Sequence, residues 1–93
     1  MYQIYFGTAV KKDLRKLPKN IQSKIDGIFF LLSENPFLGE GLAGEFLGYY
    51  SYHFKNQKTE YRIIYNIKAK ELIVLIVLVG TRENIYKQLK RRL

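Results

Sequence analysis

Eight consecutive apolar residues, Leu72 to Val79 (LIVLIVLV), constrain this chain more than any other stretch. A bilayer crossing needs about 20 such residues, so the run is too short for a membrane span. It is rich in β-branched types and has no polar position to turn towards water. It reads as a central strand covered on both faces. Ahead of it, Tyr61, Ile63, Tyr65 and Ile67 alternate with Arg62, Ile64 and Asn66, the period of a strand with two different faces. A polar residue beside a doubly covered strand is costly to place. Arg62 is therefore the first residue whose position needs a reason.

The preceding segments supply what covers that strand. Tyr2 to Phe6 is a short strand closed by Gly7, and Thr8 is placed to cap a first helix with Val10, Leu14 and Leu17 as its buried stripe. Lys11, Lys12, Arg15 and Lys16 fall away from the stripe as a basic face. Pro18 suits the first turn of a second helix, in which Ile21, Ile25, Ile28, Phe29 and Leu32 keep helical spacing until Asn35-Pro36 stops it. Residues 36–48, PFLGEGLAGEFLG, hold four glycines and one proline and must turn several times, with Phe37, Leu38, Leu42 and Phe46 to pin them down. Tyr49 to Lys55 alternates again: Tyr50, Tyr52 and Phe54 face one way, and Tyr49, Ser51, His53 and Lys55 the other.

Strand register follows from the next connection. With residues 56–59 as a hairpin loop, Lys55 faces Glu60, and the pairs that follow are Phe54–Tyr61, His53–Arg62, Tyr52–Ile63 and Ser51–Ile64. The aromatic pairs then stack on the helix side, while His53 and Arg62 are neighbours on the opposite side, flanked by Ser51 and Lys55. A second hairpin, centred on Ala69-Lys70, sets Arg62 opposite Val77. A slip of one residue puts the guanidinium in the core, so the apolar pattern itself exposes the polar cluster. After Gly80, Thr81 to Tyr86 opens a short C-terminal helix with Ile85, Leu89 and Leu93 as its apolar stripe. Its cations, Lys87, Lys90, Arg91 and Arg92, also favour a helix C-terminus.

These elements predict an α+β fold of one domain, residues 1–93. The sheet is small, twisted, mostly antiparallel and four-stranded, with two N-terminal helices packed on one face and the short C-terminal helix following (β-α-α-β-β-β). There is no cysteine, which excludes disulfides and thiolate metal sites, and the single histidine argues against a protein-built zinc site. No charged-then-apolar leader precedes the first strand, and a reducing cytoplasm is the default compartment. Sixteen Lys and Arg against eight Asp and Glu give a net charge of +8, which attracts phosphate backbones or an acidic protein.

The order of elements, with Leu42-x-Gly44, then Tyr61-Arg62-Ile63-Ile64-Tyr65, the apolar strand, and Val79-Gly80-Thr81-Arg82 followed by Tyr86, closely resembles the RelE/ParE superfamily of toxin–antitoxin toxins. The likeness covers nearly the whole chain and is nearer the RelE-type ribonucleases than the ParE-type gyrase poisons. It implies a metal-independent endoribonuclease, without small-molecule cofactor, that cuts mRNA in the ribosomal A site and is held inactive by a cognate antitoxin; no membrane is involved. The implied reaction is attack of a 2′-hydroxyl on its own phosphate, leaving a cyclic phosphate and a 5′-hydroxyl. The family's two arginines fall on Arg62 and Arg82 and its C-terminal tyrosine on Tyr86. Two lysines of the archetype align instead with Ser51 and His53, a departure. One relative uses a glutamate two residues before the leucine of L-x-G, here Glu40.

This chemistry needs a base, an acid and cations around a pentacoordinate phosphate. Arginine suits the last role through its planar, permanently charged fork. An imidazole such as His53 has an ordinary pKa of about 6.5, near neutrality. Tyr86 can stack on a base or donate a proton. Lys55, Lys58, Lys87 and Lys90 are the cations for RNA backbone. Each has a plainer alternative: an ion pair of Arg62 with Glu60, a hydrogen-bonded His53, Arg82 as a helix-start charge, Tyr86 at the core edge, Glu40 as a surface charge. Two rival functions share the resemblance: a gyrase-trapping toxin without chemistry, and a degenerate member that only binds its antitoxin.

Overall fold

The apolar run forms most of the strand Ile73–Thr81 (β5), which lies inside a five-stranded sheet in the computed structural model, where residues 1–93 are described. The other elements are β1 (Gln3–Phe6), α1 (Thr8–Arg15), α2 (Lys19–Glu34), β2 (Glu40–Gly41), β3 (Tyr49–Asn56), β4 (Thr59–Lys68) and α3 (Ile85–Arg92). Short 3-10 turns stand at Pro36–Leu38 and Gly44–Phe46. The strand order is β1-β5-β4-β3-β2, with β1 parallel to β5 and the remaining pairs antiparallel. The four expected strands are present. The fifth, β2, is two residues of the glycine-rich loop paired with Tyr50 and Ser51.

Two apolar clusters sandwich this sheet. On one face Val10 of α1 and Ile21, Ile25, Ile28, Phe29 and Leu32 of α2 pack on Tyr61, Ile63, Tyr65, Val74, Ile76 and Val79. On the other, Ile85 and Leu89 of α3 pack on Ile64 and Leu78, with Leu42, Phe46, Tyr49 and Val77 around them. That second face is thus partly roofed by α3 rather than open along its length. Leu93, expected in the helix stripe, is exposed. Thr8 does not cap α1: the extended Gly7 holds the cap position without a side-chain bond, and the helix runs straight on from β1.

The β3–β4 hairpin has the expected register, His53–Arg62 included, and closes on Gln57 and Lys58, where Gln57 takes φ 56°. The β4–β5 hairpin does not. Its turn is four residues, Ala69 to Leu72, with Leu72 left-handed at φ 56° and half exposed. A bulge then sets Ile64 opposite Leu78 but Tyr65 opposite Ile76, leaving Val77 as the extra residue. Both changes push the partner of Arg62 from Val77 to Gly80. The bulge also switches the phase of β5, so that Val74, Ile76 and Val79 face the helical pair while Leu78 faces α3.

Beyond Ile76, β5 has no strand on the β1 side, because β1 ends at Phe6. Two side chains plug that edge. Val79 N–H donates to Asp13 Oδ2 at 3.1 Å, and Arg92 Nη1 donates to the Val77 carbonyl at 2.9 Å. Asp13 and Arg92 are joined by bonds of 3.0 and 2.7 Å. The Asp13 hydrogen bond pushes the Arg92 pKa further up. Arg92 is therefore a clamp between α3, α1 and the sheet edge, beyond any role in the helix dipole.

Candidate active site

Strand pairing places the chemistry. Directly opposed residues of an antiparallel pair share a face, so Ser51, His53 and Lys55 of β3 lie with Ile64, Arg62 and Glu60 of β4. On β5 the position opposite Arg62 is Gly80, which leaves that face without a side chain where α3 begins. A Cβ there meets Ile85 Cδ1 at 3.5 Å, an ordinary contact. α3 folds back beside Gly80, and its first turn brings Tyr86 to Arg62 of β4.

Arg62 is the hub. Its side chain is 19 % exposed, and Nε and Nη2 both donate to Glu60 Oε2, at 3.2 and 3.1 Å. Nη1 donates to the Tyr86 hydroxyl at 3.0 Å, and the guanidinium carbon lies 5.9 Å from the centre of that ring. Tyr86 is backed by Phe46, whose ring stacks on it at 6.0 Å and 23°. The Arg82 backbone N–H donates to the Glu60 carbonyl at 2.9 Å, and its side-chain Nε comes to 4.0 Å from Glu60 Oε2. Three of the expected residues, Arg62, Arg82 and Tyr86, are thus gathered around one carboxylate. The ion pair with Glu60 is present, and so is the cluster.

Beside it lies an open recess of about 390 Å³ lined by Lys55, Lys58, Thr59, Glu60, Thr81, Arg82 and Glu83. Three cations, two hydroxyls and the carboxylates of Glu60 and Glu83 border it, so phosphate oxygens meet donors there alongside two competing anions. His53 is exposed, with no side-chain hydrogen bond, across the strand pair from Arg62. It also borders a second recess, of about 350 Å³, with Leu38, Gly39, Glu40, Ser51 and Tyr52. Glu40 sits opposite Ser51 at the sheet margin and so joins His53 rather than the arginines. Ser51, aligned with a lysine of the resemblance, is buried with its hydroxyl unpartnered. Lys87 and Lys90 are exposed on α3, where Lys90 stands 3.9 Å from Glu45.

Tyr65 fixes the loop that carries Glu40. Its hydroxyl accepts from Gly39 N–H at 2.9 Å and donates to the Pro36 carbonyl at 2.7 Å. Any Cβ on Gly39 would overlap that hydroxyl, so only glycine fits. Burial pushes the phenol from 10.0 up to about 12, against the opposing bond from Gly39. Sequence reasoning met Glu60 as the hairpin partner of Lys55 and as a rival partner for Arg62, never as a link between the arginines, and missed Phe46 as the support of Tyr86. Glu60 was within reach of it, two residues before Arg62 on the same strand face. Phe46 had no periodic signal within its loop.

The chain as a whole is similar to known proteins. Residues 4–90 match the sequence model of a family described as ParE-like toxin of type II bacterial toxin–antitoxin system. The chain is 32 % identical over 89 residues to Toxin RelG of Mycobacterium tuberculosis, covering 94 % of this chain and 98 % of the relative. It superposes on a chain of the RelBE2 toxin–antitoxin complex from the same organism with a TM-score of 0.74 and 32 % identity, covering 87 % of this chain and 98 % of that one. A chain of the intact E. coli RelBE toxin–antitoxin complex gives 0.75 at 19 % identity, covering 89 % and 99 %, a likeness of fold.

Proposed function

We propose that this chain, which belongs to the ParE-like toxin family of type II bacterial toxin–antitoxin systems, is an endoribonuclease that cuts mRNA in the ribosomal A site. It is a toxin of the RelE/ParE superfamily, and the finer reading concerns what the toxin does. The observation that carries it is the placing of His53 directly across from Arg62, whose guanidinium is already bonded to Tyr86 and shares Glu60 with Arg82.

In the proposed reaction the 2′-oxygen attacks the adjacent phosphorus, the bond to the 5′-oxygen breaks, and a cyclic phosphate and a 5′-hydroxyl result. Charge builds on the equatorial phosphate oxygens. Arg62 and Arg82 offer fixed donors to it without proton transfer. His53 and Glu40, which line one recess, are the groups that take the 2′-hydroxyl proton and supply one to the leaving oxygen. The exposed face of Tyr86 stacks on a base, and Lys55, Lys58, Lys87 and Lys90 hold the backbone. The toxin works in the cytoplasm, where the ribosomes are, and no helix is long and apolar enough to cross a membrane. A cognate antitoxin covers the arginines with carboxylates.

Purified toxin added to ribosomes translating a defined message is expected to release fragments ending in cyclic phosphate. Arg62→Ala is expected to slow that release at least ~100-fold, the scale for removing one transition-state donor. A folded Arg62→Ala protein as active as wild type refutes the assignment.

A further inference from the structure

Glu60 is the least explained residue of the cluster. A nuclease whose arginines must meet phosphate gains nothing obvious from a carboxylate already lodged between them. Yet Glu60 Oε2 accepts from both Nε and Nη2 of Arg62 and lies 4.0 Å from Arg82 Nε. Its side chain is only 25 % exposed, and Lys55 stands directly across the strand pair. An anionic oxygen therefore already sits where the two guanidinium groups converge, at the edge of the recess formed with Lys55, Lys58 and Thr59.

We propose that Glu60 is a resident counter-anion: it fills the phosphate seat of Arg62 and Arg82 in the free toxin and must be displaced by the incoming RNA. This deepens the nuclease reading and rests on it for the identity of the displacing ligand. The physical consequence is selectivity by length. A carboxylate tethered to its own strand competes at an effective concentration of the order of millimolar or more. A lone phosphate or mononucleotide has little else to hold it and loses that contest. An extended strand also engages Lys55 and Lys58 next door, so several phosphates act together to displace one carboxylate. The toxin thus ignores the cell's free phosphates and nucleotides while still accepting a strand. Two donor hydrogens of Arg62, one on each terminal nitrogen, are left unused by Glu60 and Tyr86 and give an approaching phosphate its first hold.

The test compares wild type with Glu60→Gln, which keeps the shape and removes the charge. Binding is measured for inorganic phosphate and for a 12-nucleotide RNA made uncleavable by 2′-deoxy substitution. Glu60→Gln is expected to bind phosphate about tenfold or more tightly than wild type, with a smaller gain for the strand. The salt dependence of strand binding is expected to steepen by about 0.7 in log–log slope for each cation released. Loss of any nearby negative charge raises anion affinity somewhat, so Glu83→Gln, a carboxylate of the same recess with no bond to either arginine, sets the gain that Glu60→Gln must exceed; equal gains in the two variants overturn the proposal. Phosphate affinity unchanged or weakened in Glu60→Gln overturns the proposal; if that variant does not fold, Glu60→Thr, at home in a strand, carries the same comparison. Arg62→Ala on the Glu60→Gln background separates the two claims. Gained phosphate binding that vanishes with Arg62 upholds the masking role even where the toxin proves not to cut RNA. RNA cleavage that depends on Arg62, without any gain in Glu60→Gln, retires masking alone.

Discussion

At the scale of single residues, Arg62 and Tyr65 stand three apart on one strand and serve opposite faces. Arg62 points to the α3 side, where it is still reachable; Tyr65 points to the helical pair, where it is sealed. Its phenol ties Gly39 and Pro36, so its contribution depends on staying protonated. With the folded value at about 12 and the ordinary value at 10.0, that stabilisation is intact below about pH 10. It is lost as pH rises from there to about 12. Tyr65→Phe, which strands the buried Pro36 carbonyl and the half-buried Gly39 N–H, is expected to cost ~1–2 kcal/mol near neutrality. The gap between wild type and Tyr65→Phe in urea unfolding should close across that alkaline window. A gap that widens there contradicts the assignment.

At the scale of elements, the sheet edge beyond Ile76 is finished by an ion pair rather than a strand. Asp13 is 9 % exposed and holds the Val79 N–H as well as Arg92. Removing the acid opens the Val79 N–H and leaves Arg92, whose side chain is 26 % exposed, without its partner, which costs ~1–3 kcal/mol. Asp13→Ala is accordingly expected to lower the urea midpoint sharply, whereas a shift no larger than that of an exposed lysine variant would show the clamp to be idle.

Which elements were legible in the sequence follows from the same physics. The β3–β4 register could be read because both strands alternate, so only one alignment stacks Phe54 on Tyr61 and leaves His53 beside Arg62. The β4–β5 register could not. LIVLIVLV has no polar position to mark phase, so neither the left-handed Leu72 nor the bulge at Val77 leaves a trace in it. Asp13, between Lys12 and Leu14, carries no signal of its own, because a buried acid is recognisable only once its partner 79 positions away is in place. The two-residue β2 is shorter than any period. Arg62, Arg82 and Tyr86 are singled out by the sequence one at a time; that Glu60 joins the two arginines shows only once Arg82 is folded back beside β4.

At the scale of the whole molecule, the chain carries an excess of eight positive charges and a site on the sheet face roofed in part by α3. Such a field draws in polyanions at a rate set by ionic strength, while β4 fixes Arg62 and Arg82 follows directly on the end of β5. Family membership makes the chain a toxin, and cleavage of messages is the claim that gives Arg62, Arg82, His53 and Tyr86 their roles. Mapping of RNA 5′ ends shortly after induction, in cells making wild type or Arg62→Ala, tests it most directly. New 5′-hydroxyl ends within translated codons, absent from the Arg62→Ala cells, are the predicted result. Intact messages alongside broken chromosomes, or identical ends in both strains, would contradict it.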